Sequence, residues 1–263
     1  MKVDLAVLIE WFHVNKLSLN IGKTNFVVFQ NKSNKCVANN ESDINELLKF
    51  GSECISQAPQ VKFLVLHIDE NLTWSQHSKN VLTKLSKSTY YLNSVKNILP
   101  RKCMKQLYNS FVSCYLIYGI NIWGPSISKA NLNLLVKSQK KIIRIVKNTR
   151  YNAHTDVIFK ELGILKLSDI IDVELSKFMF KFNNNELPVA LNNLFQLNSE
   201  IHHYGTRNRN DPRVPCHKSA KFNNSFLARG PSVWADLPYD IKNDSYSKNM
   251  FISKVKKLKF DSY

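Results

Sequence analysis

The chain has 263 residues, 44% of them apolar and 11% aromatic, with 37 Lys/Arg against 20 Asp/Glu for a net charge of +17. That apolar content excludes a mainly disordered polypeptide, and the length suffices for one large or two small domains with ample core. The surplus charge is concentrated: residues 76–160 hold 15 Lys/Arg and a single acid, Asp156, whereas residues 1–75 hold 7 against 8 and residues 161–263 hold 15 against 11. A field placed this way bears on partners rather than on fold, and its expected partner is a polyanion, most commonly nucleic acid.

Met1 leads straight into the amphipathic pattern Leu5, Leu8, Ile9 and Phe12, so no signal peptide is expected. The spacing predicts a helix over 3–17, then a short extended run and turn from Ser18 to Thr24, then an apolar strand Phe26–Phe29. Residues 30–60 are polar, with a short strand expected near Lys35 to Ala38 and a weak segment from Ile44 to Phe50. Val61 to Ile68 is nearly all apolar with β-branched members, the pattern of a strand buried on both faces, and Phe26–Phe29 is its expected partner in a small sheet.

Helices are predicted from there on. Thr73-Trp74-Ser75-Gln76 fits a capping box, and Val81, Leu85, Leu92 and Val95 follow at helical spacing. Pro100 suits the first turn of the next helix, which is expected to bury Met104, Leu107, Phe111, Cys114 or Tyr115, and Tyr118. The run from Phe111 to Trp123 is too short for a bilayer and is broken by Ser113, Gly119 and Asn121, so it reads as a buried helix without a membrane partner.

From Lys129 to Asn148, Leu132, Leu135, Val136, Ile142, Ile143 and Val146 mark one apolar face. At 100° per residue, Lys137, Lys140, Lys141, Arg144 and Lys147 fall together on another. A rise of ~1.5 Å per residue spaces such cations ~5–6 Å apart, close to the phosphate repeat of a nucleic-acid strand. Solvated faces ordinarily mix Glu with Lys; this one carries no acid, which favours polyanion binding. Val157–Leu162 and Ser168–Asn183 read as two further helices with Gly163 as a C-cap between them. Asn183 to Pro215 reads as a linker or irregular loop, and Phe251, Ile252, Val255 and Leu258 suggest a closing helix with its lysines exposed.

Few residues suggest metal or nucleophile chemistry. No Asp-Asp pair occurs; Asp69-Glu70 end a strand, where a turn role is expected, and Asp169, Asp172 and Glu174 lack a converging partner. His202, His203, Cys216 and His217 match no zinc framework, and no phosphate-binding glycine loop is present. No metal site and no catalytic residue is assigned. Five scattered cysteines (Cys36, Cys54, Cys103, Cys114, Cys216) without C-x-x-C fit a reduced, intracellular setting, nucleus or cytoplasm. Lys23 sits in an Asn-x-x-Lys-Thr turn, where a solvated ammonium is the ordinary outcome and a phosphate contact the functional one.

Taken in order, several stretches resemble the reverse transcriptases of non-LTR retrotransposons, the jockey and LINE-like elements. They are Trp11-(x3)-Asn15-Lys16-Leu17-Ser18-Leu19-Asn20-(x2)-Lys23-Thr24 with Phe29, and Phe63-Leu64-Val65-Leu66-His67-Ile68-Asp69-(x2)-Leu72-Thr73-Trp74-(x2)-His77. Leu99-Pro100, Leu107-Tyr108, Tyr118-Gly119-(x3)-Trp123-Gly124, Thr206-Arg207-Asn208 and Gly230-Pro231-(x2)-Trp234-(x2)-Leu237-Pro238 follow in the family's order. Val65 stands where that family usually has Gly, and Ala235 where Asn usually follows Trp. Any one block is loose, but the ordered set is specific.

The resemblance implies an α+β chain. Residues 1–75 would be the end of the polymerase palm, a helix with a small antiparallel sheet. Residues 76–182 would be an all-α thumb, and residues 183–263 an irregular C-terminal extension. It implies that the metal-binding carboxylates and their Mg2+ belong to an upstream half that this chain begins just after, so the chain alone binds no cofactor and does not polymerise. It places Lys23 near the incoming triphosphate, and it makes the thumb helices trackers of a template–primer duplex, RNA–DNA or DNA. The missing upstream half is then itself an expected partner. A non-catalytic RNA- or DNA-binding protein, or the non-functional product of a decayed element, are the alternatives that the same residues allow.

Overall fold

The amphipathic start of the chain forms helix α1 (Lys2–Val14) in the computed structural model, which describes residues 2–29, 49–50, 53–201, 204–242 and 246–263. The chain divides into two compact units, Met1–His77 and Ser78–Tyr263.

In the first unit α1 ends where Lys16 turns to φ +53°. Three short ladders follow. Strand β1 (Asn25–Phe26) pairs parallel with β4 (Ser56–Gln57). Strands β2 (Lys49–Phe50) and β3 (Glu53–Cys54) pair antiparallel, as do β5 (Gln60–Phe63) and β6 (Leu66–Asp69). The α+β class therefore holds, but the expected sheet does not form as drawn. Val61 to Ile68 is not one buried strand paired with Phe26–Phe29: it folds back on itself as the β5–β6 hairpin, with Val61 opposite Ile68. Its turn is Leu64-Val65, with φ of +44° and +72°, and Phe63, Leu64 and Val65 are exposed whereas Leu66 is buried. A continuous apolar run carries no alternation to mark a reversal, and no Gly, Asn or Pro announces this one. The strand expected near Lys35 to Ala38, and residues 44–48 of the weak segment, lie outside the described residues.

Helix α2 (Ser75–Val95) starts without the expected capping box. The Asp69 carboxylate takes that place, accepting from the Thr73 N–H (2.9 Å), the Thr73 hydroxyl (3.0 Å) and the Trp74 N–H (2.9 Å). Those bonds hold a turn in which Leu72 and Trp74 both take positive φ, +52° and +58°. Trp74 is buried and meets the His77 ring edge-on at 6.3 Å.

The second unit is helical. Pro100 caps α3 (Arg101–Tyr108), and a π-helical turn, Asn109–Ser113, follows directly. That turn corrects the expected buried face. Met104, Tyr108, Val112, Leu116 and Ile120 are buried at a spacing of four, whereas Phe111 and Tyr118 are exposed. A π turn inserts one residue and rotates every later side chain relative to the 3.6-residue pattern. The Phe111 carbonyl in this turn accepts from the Ser88 hydroxyl of α2 at 2.7 Å. One-turn helices at Cys114–Ile117 and Ile120–Trp123 flank Gly119, whose φ is +62°. Only glycine holds that conformation without cost, and it brings the fully buried Trp123 indole N–H onto the Tyr118 carbonyl at 2.9 Å.

Helices α4 (Lys129–Lys147), α5 (Thr155–Leu162) and α6 (Leu167–Asn183) appear where expected, with Gly163 closing α5. Helix α6 is the centre of the unit, packing on α4, on Ile120–Trp123, and on α7 (Phe226–Ala235) and α8 (Lys248–Asp261). At Gly230 a side chain would come within 2.9 Å of the Met179 sulfur, so α7 sits on α6 at glycine distance. Residues 183–215 do not form a free linker: among those described, Phe195 is buried against Phe182 and Phe226, and Leu197 bridges to Pro212. Periodicity misses such a segment because single aromatic anchors, not a repeated face, hold it.

Candidate nucleic-acid interface

Helix α4 carries the predicted cations. Ser128 caps it, its hydroxyl accepting from the Asn131 N–H at 3.2 Å, and Asn148 ends it at φ +55°. Leu135, Ile142, Ile143 and Val146 are buried, which turns the opposite side outward. Lys137 and Lys141 are exposed; Lys140, Arg144 and Lys147 are half-buried. The face is thus graded. The Arg144 Nε donates to the Ala153 carbonyl at 2.9 Å and closes the loop after α4. The Lys147 ammonium is paired with Glu161 of α5. Beyond Lys140, Asp156 pairs with Lys166 at 3.0 Å, and this hydrogen bond is the main reason its carboxyl is held below the usual range. The cations nearest the start of the face are therefore the most available, and those near its end also serve the fold.

One residue on α4 was not singled out from sequence. Gln139 is fully buried; its amide N–H groups donate to the Tyr108 hydroxyl and the Leu165 carbonyl, both at 2.9 Å, and its oxygen accepts from the Leu167 N–H at 2.9 Å. It joins α4 to α3 and to the α5–α6 connection. Burial pushes the Tyr108 hydroxyl up to about 12, with the Gln139 hydrogen bond acting in the opposite sense. The signal was present: at 100° per residue Gln139 falls among the apolar positions of α4.

The acids set aside as metal ligands are occupied. Asp169 accepts from the Tyr263 hydroxyl at 2.6 Å, and that hydroxyl in turn accepts from the Lys166 N–H at 2.7 Å. Burial raises both the Asp169 carboxyl and the Tyr263 hydroxyl. Asp172 pairs with Lys259 at 2.6 Å and Arg229 at 3.5 Å, and Glu174 with Lys177 at 2.5 Å. Asp69 is used by the backbone that follows it. These carboxylates do not fit a Mg2+ site, and among the described residues no three His, Cys, Asp or Glu are grouped to hold a metal. His217 accepts from the Ser219 N–H at 3.0 Å beside an exposed, free Cys216, and His202 and His203 lie outside the described residues.

Lys23 belongs to the first unit. It ends the one-turn 3-10 helix Ile21–Lys23, whose N-cap Asn20 accepts from the Lys23 N–H at 3.2 Å, and its side chain is exposed. No helix among the described residues is long and apolar enough to cross a membrane.

No family model matches the chain and no solved structure does. Two curated proteins of Drosophila melanogaster do. The RNA-directed DNA polymerase from the mobile element jockey is 24% identical over 178 residues, 66% of this chain and 18% of the relative. The probable RNA-directed DNA polymerase from transposon X-element is 22% identical over 143 residues, 52% of this chain and 16% of the relative. The chain spans less than a fifth of the length of the curated relatives it matches. By sequence, then, the chain is related to the RNA-directed DNA polymerases of non-LTR retrotransposons, the family its ordered motifs resemble.

Proposed function

We propose that the chain is a piece of a retrotransposon reverse transcriptase whose second unit begins with a thumb that grips a nucleic-acid duplex by its backbone. The observation that carries this reading is α4: an acid-free helix whose apolar side is buried and whose Lys137 and Lys141 are exposed. Ammonium groups in such a column neutralise phosphates without reading bases, so binding is indifferent to sequence and steep in salt. The relatives' names are the second support, since an RNA-directed DNA polymerase acts on nucleic acid. In this reading the carboxylates and Mg2+ of phosphoryl transfer are supplied from outside the chain, and Lys23 lies near phosphate in the assembled enzyme.

The test is the salt dependence of duplex binding. Changing Lys137 and Lys141 together to Glu removes two phosphate contacts, so the slope of log K against log salt becomes shallower by about 2. Arg144 and Lys147 are poorer choices, because the first holds the Ala153 carbonyl and the second pairs with Glu161. A slope equal to that of the unaltered chain, with an unaltered melting temperature, removes α4 from the interface.

A further inference from the structure

A cavity of about 490 Å3 lies where the end of α6 meets the segments before and after α7. It is within the size range of small-ligand pockets, about 300–1,000 Å3. Its walls differ in kind from the open cationic face of α4. Phe182 and Leu197 supply its apolar lining, and three carboxamides, Asn183, Asn185 and Asn210, supply donors and acceptors. The Asn183 side-chain oxygen is closed to solvent, so the exposed Asn185 and Asn210 are the carboxamides whose oxygens and N–H groups a ligand meets. Arg207 is exposed and pairs with no acid among the described residues. The acid in the wall, Asp211, is already neutralised, accepting from the Trp234 indole N–H at 3.0 Å and the Lys242 ammonium at 3.1 Å. Tyr239 adds a ring that is 77% exposed.

These groups narrow the ligand. Polar walls disfavour a lipid tail or an apolar side chain. A neutralised carboxylate beside a guanidinium that no described acid pairs with selects an anion over a cation. Carboxamides with both donors and acceptors, next to an exposed aromatic ring, suit a planar heterocycle with a hydrogen-bonding edge. We propose that this cavity takes one 5′-nucleotide unit, its base against Tyr239 and the asparagines and its phosphate on Arg207. The proposal stands apart from the duplex grip of α4 and needs no contact with it. The same chemistry comes from a free mononucleotide or from one residue of a single strand.

The test titrates the full chain with AMP, UMP, a single-stranded tetranucleotide and inorganic phosphate, followed by calorimetry or ligand-observed NMR. The nucleotides are expected to bind at least tenfold tighter than phosphate. Arg207→Gln and Tyr239→Ala, both at exposed positions, are each expected to weaken them about tenfold. Tighter binding of the tetranucleotide than of the mononucleotides assigns a strand, and equal or weaker binding assigns the free nucleotide. Phosphate binding as tightly as AMP, no binding of any nucleotide, or affinities untouched by both substitutions would overturn the proposal. Lys137→Glu/Lys141→Glu is expected to leave mononucleotide affinity unchanged, and Arg207→Gln to leave the duplex salt slope unchanged, so the two sites fail separately.

Discussion

Val65 sits second in a two-residue hairpin loop at φ +72°, in the region that β-branched side chains avoid most strongly. The resembled family usually has Gly at this position, and the backbone supplies a reason: both loop residues take positive φ, as a tight hairpin of this twist requires. Val65→Gly is therefore expected to stabilise the hairpin by about 1 kcal/mol, the relief of left-handed strain less the added freedom of the unfolded chain. Amide hydrogen exchange across Gln60–Asp69 measures it, with protection rising about fivefold; unchanged or lower protection contradicts it. Asp69, Leu72, Trp74 and His77 have a similar explanation. Their spacing matches a family block, and what the block builds is a turn locked by one carboxylate with a buried indole behind it. The motif letters were legible in sequence; the positive φ values that make them necessary were not.

Among the elements, α4 is held by more than its apolar stripe. Gln139 makes three buried hydrogen bonds at the point where α3, α4 and the α5–α6 connection meet. Gln139→Leu fills a similar volume but leaves the Leu165 carbonyl and the Leu167 N–H without partners, an expected loss of about 3 kcal/mol. A denaturant melt of the full chain checks it, and a loss below 1 kcal/mol shows that solvent or a shifted backbone replaces the amide. The helices α4, α5, α6 and α8 were legible because each repeats an apolar face for two turns or more and is bounded by a recognisable cap or break. Two things were hidden. The hairpin at Leu64-Val65 reverses inside an unbroken apolar run, and the π turn at Asn109–Ser113 shifts the face that follows it, so Val112 and Leu116 go inside where Phe111 and Cys114 or Tyr115 were expected. Neither leaves a mark in hydrophobic periodicity. Tertiary partners, such as the Ser88 hydroxyl on the Phe111 carbonyl, stabilise the π turn from outside its own sequence.

Across the whole molecule, charge and scaffold are allotted to different residues. The residues that carry the family likeness in the second unit, Gly119, Trp123, Gly230 and Trp234, build its packing: a left-handed turn, a buried indole on a carbonyl, a close helix approach and a second indole on Asp211. The cations that would meet a polyanion sit elsewhere, on α4. The acids divide likewise: Asp156, Asp169, Asp172, Asp211 and Glu161 are spent on local partners, and α4 itself carries no acid. The central claim is that the Lys137–Lys141 stretch of α4 lies along a sugar–phosphate backbone. Lysine acetylation footprinting with and without an RNA–DNA duplex, read by mass spectrometry, tests it most directly. Lys137, Lys140 and Lys141 are predicted to lose reactivity when the duplex is added, while Lys256 and Lys257 on α8 keep theirs and Lys147, paired with Glu161, changes little. Undiminished labelling of the α4 lysines under conditions where the duplex is bound would contradict the account.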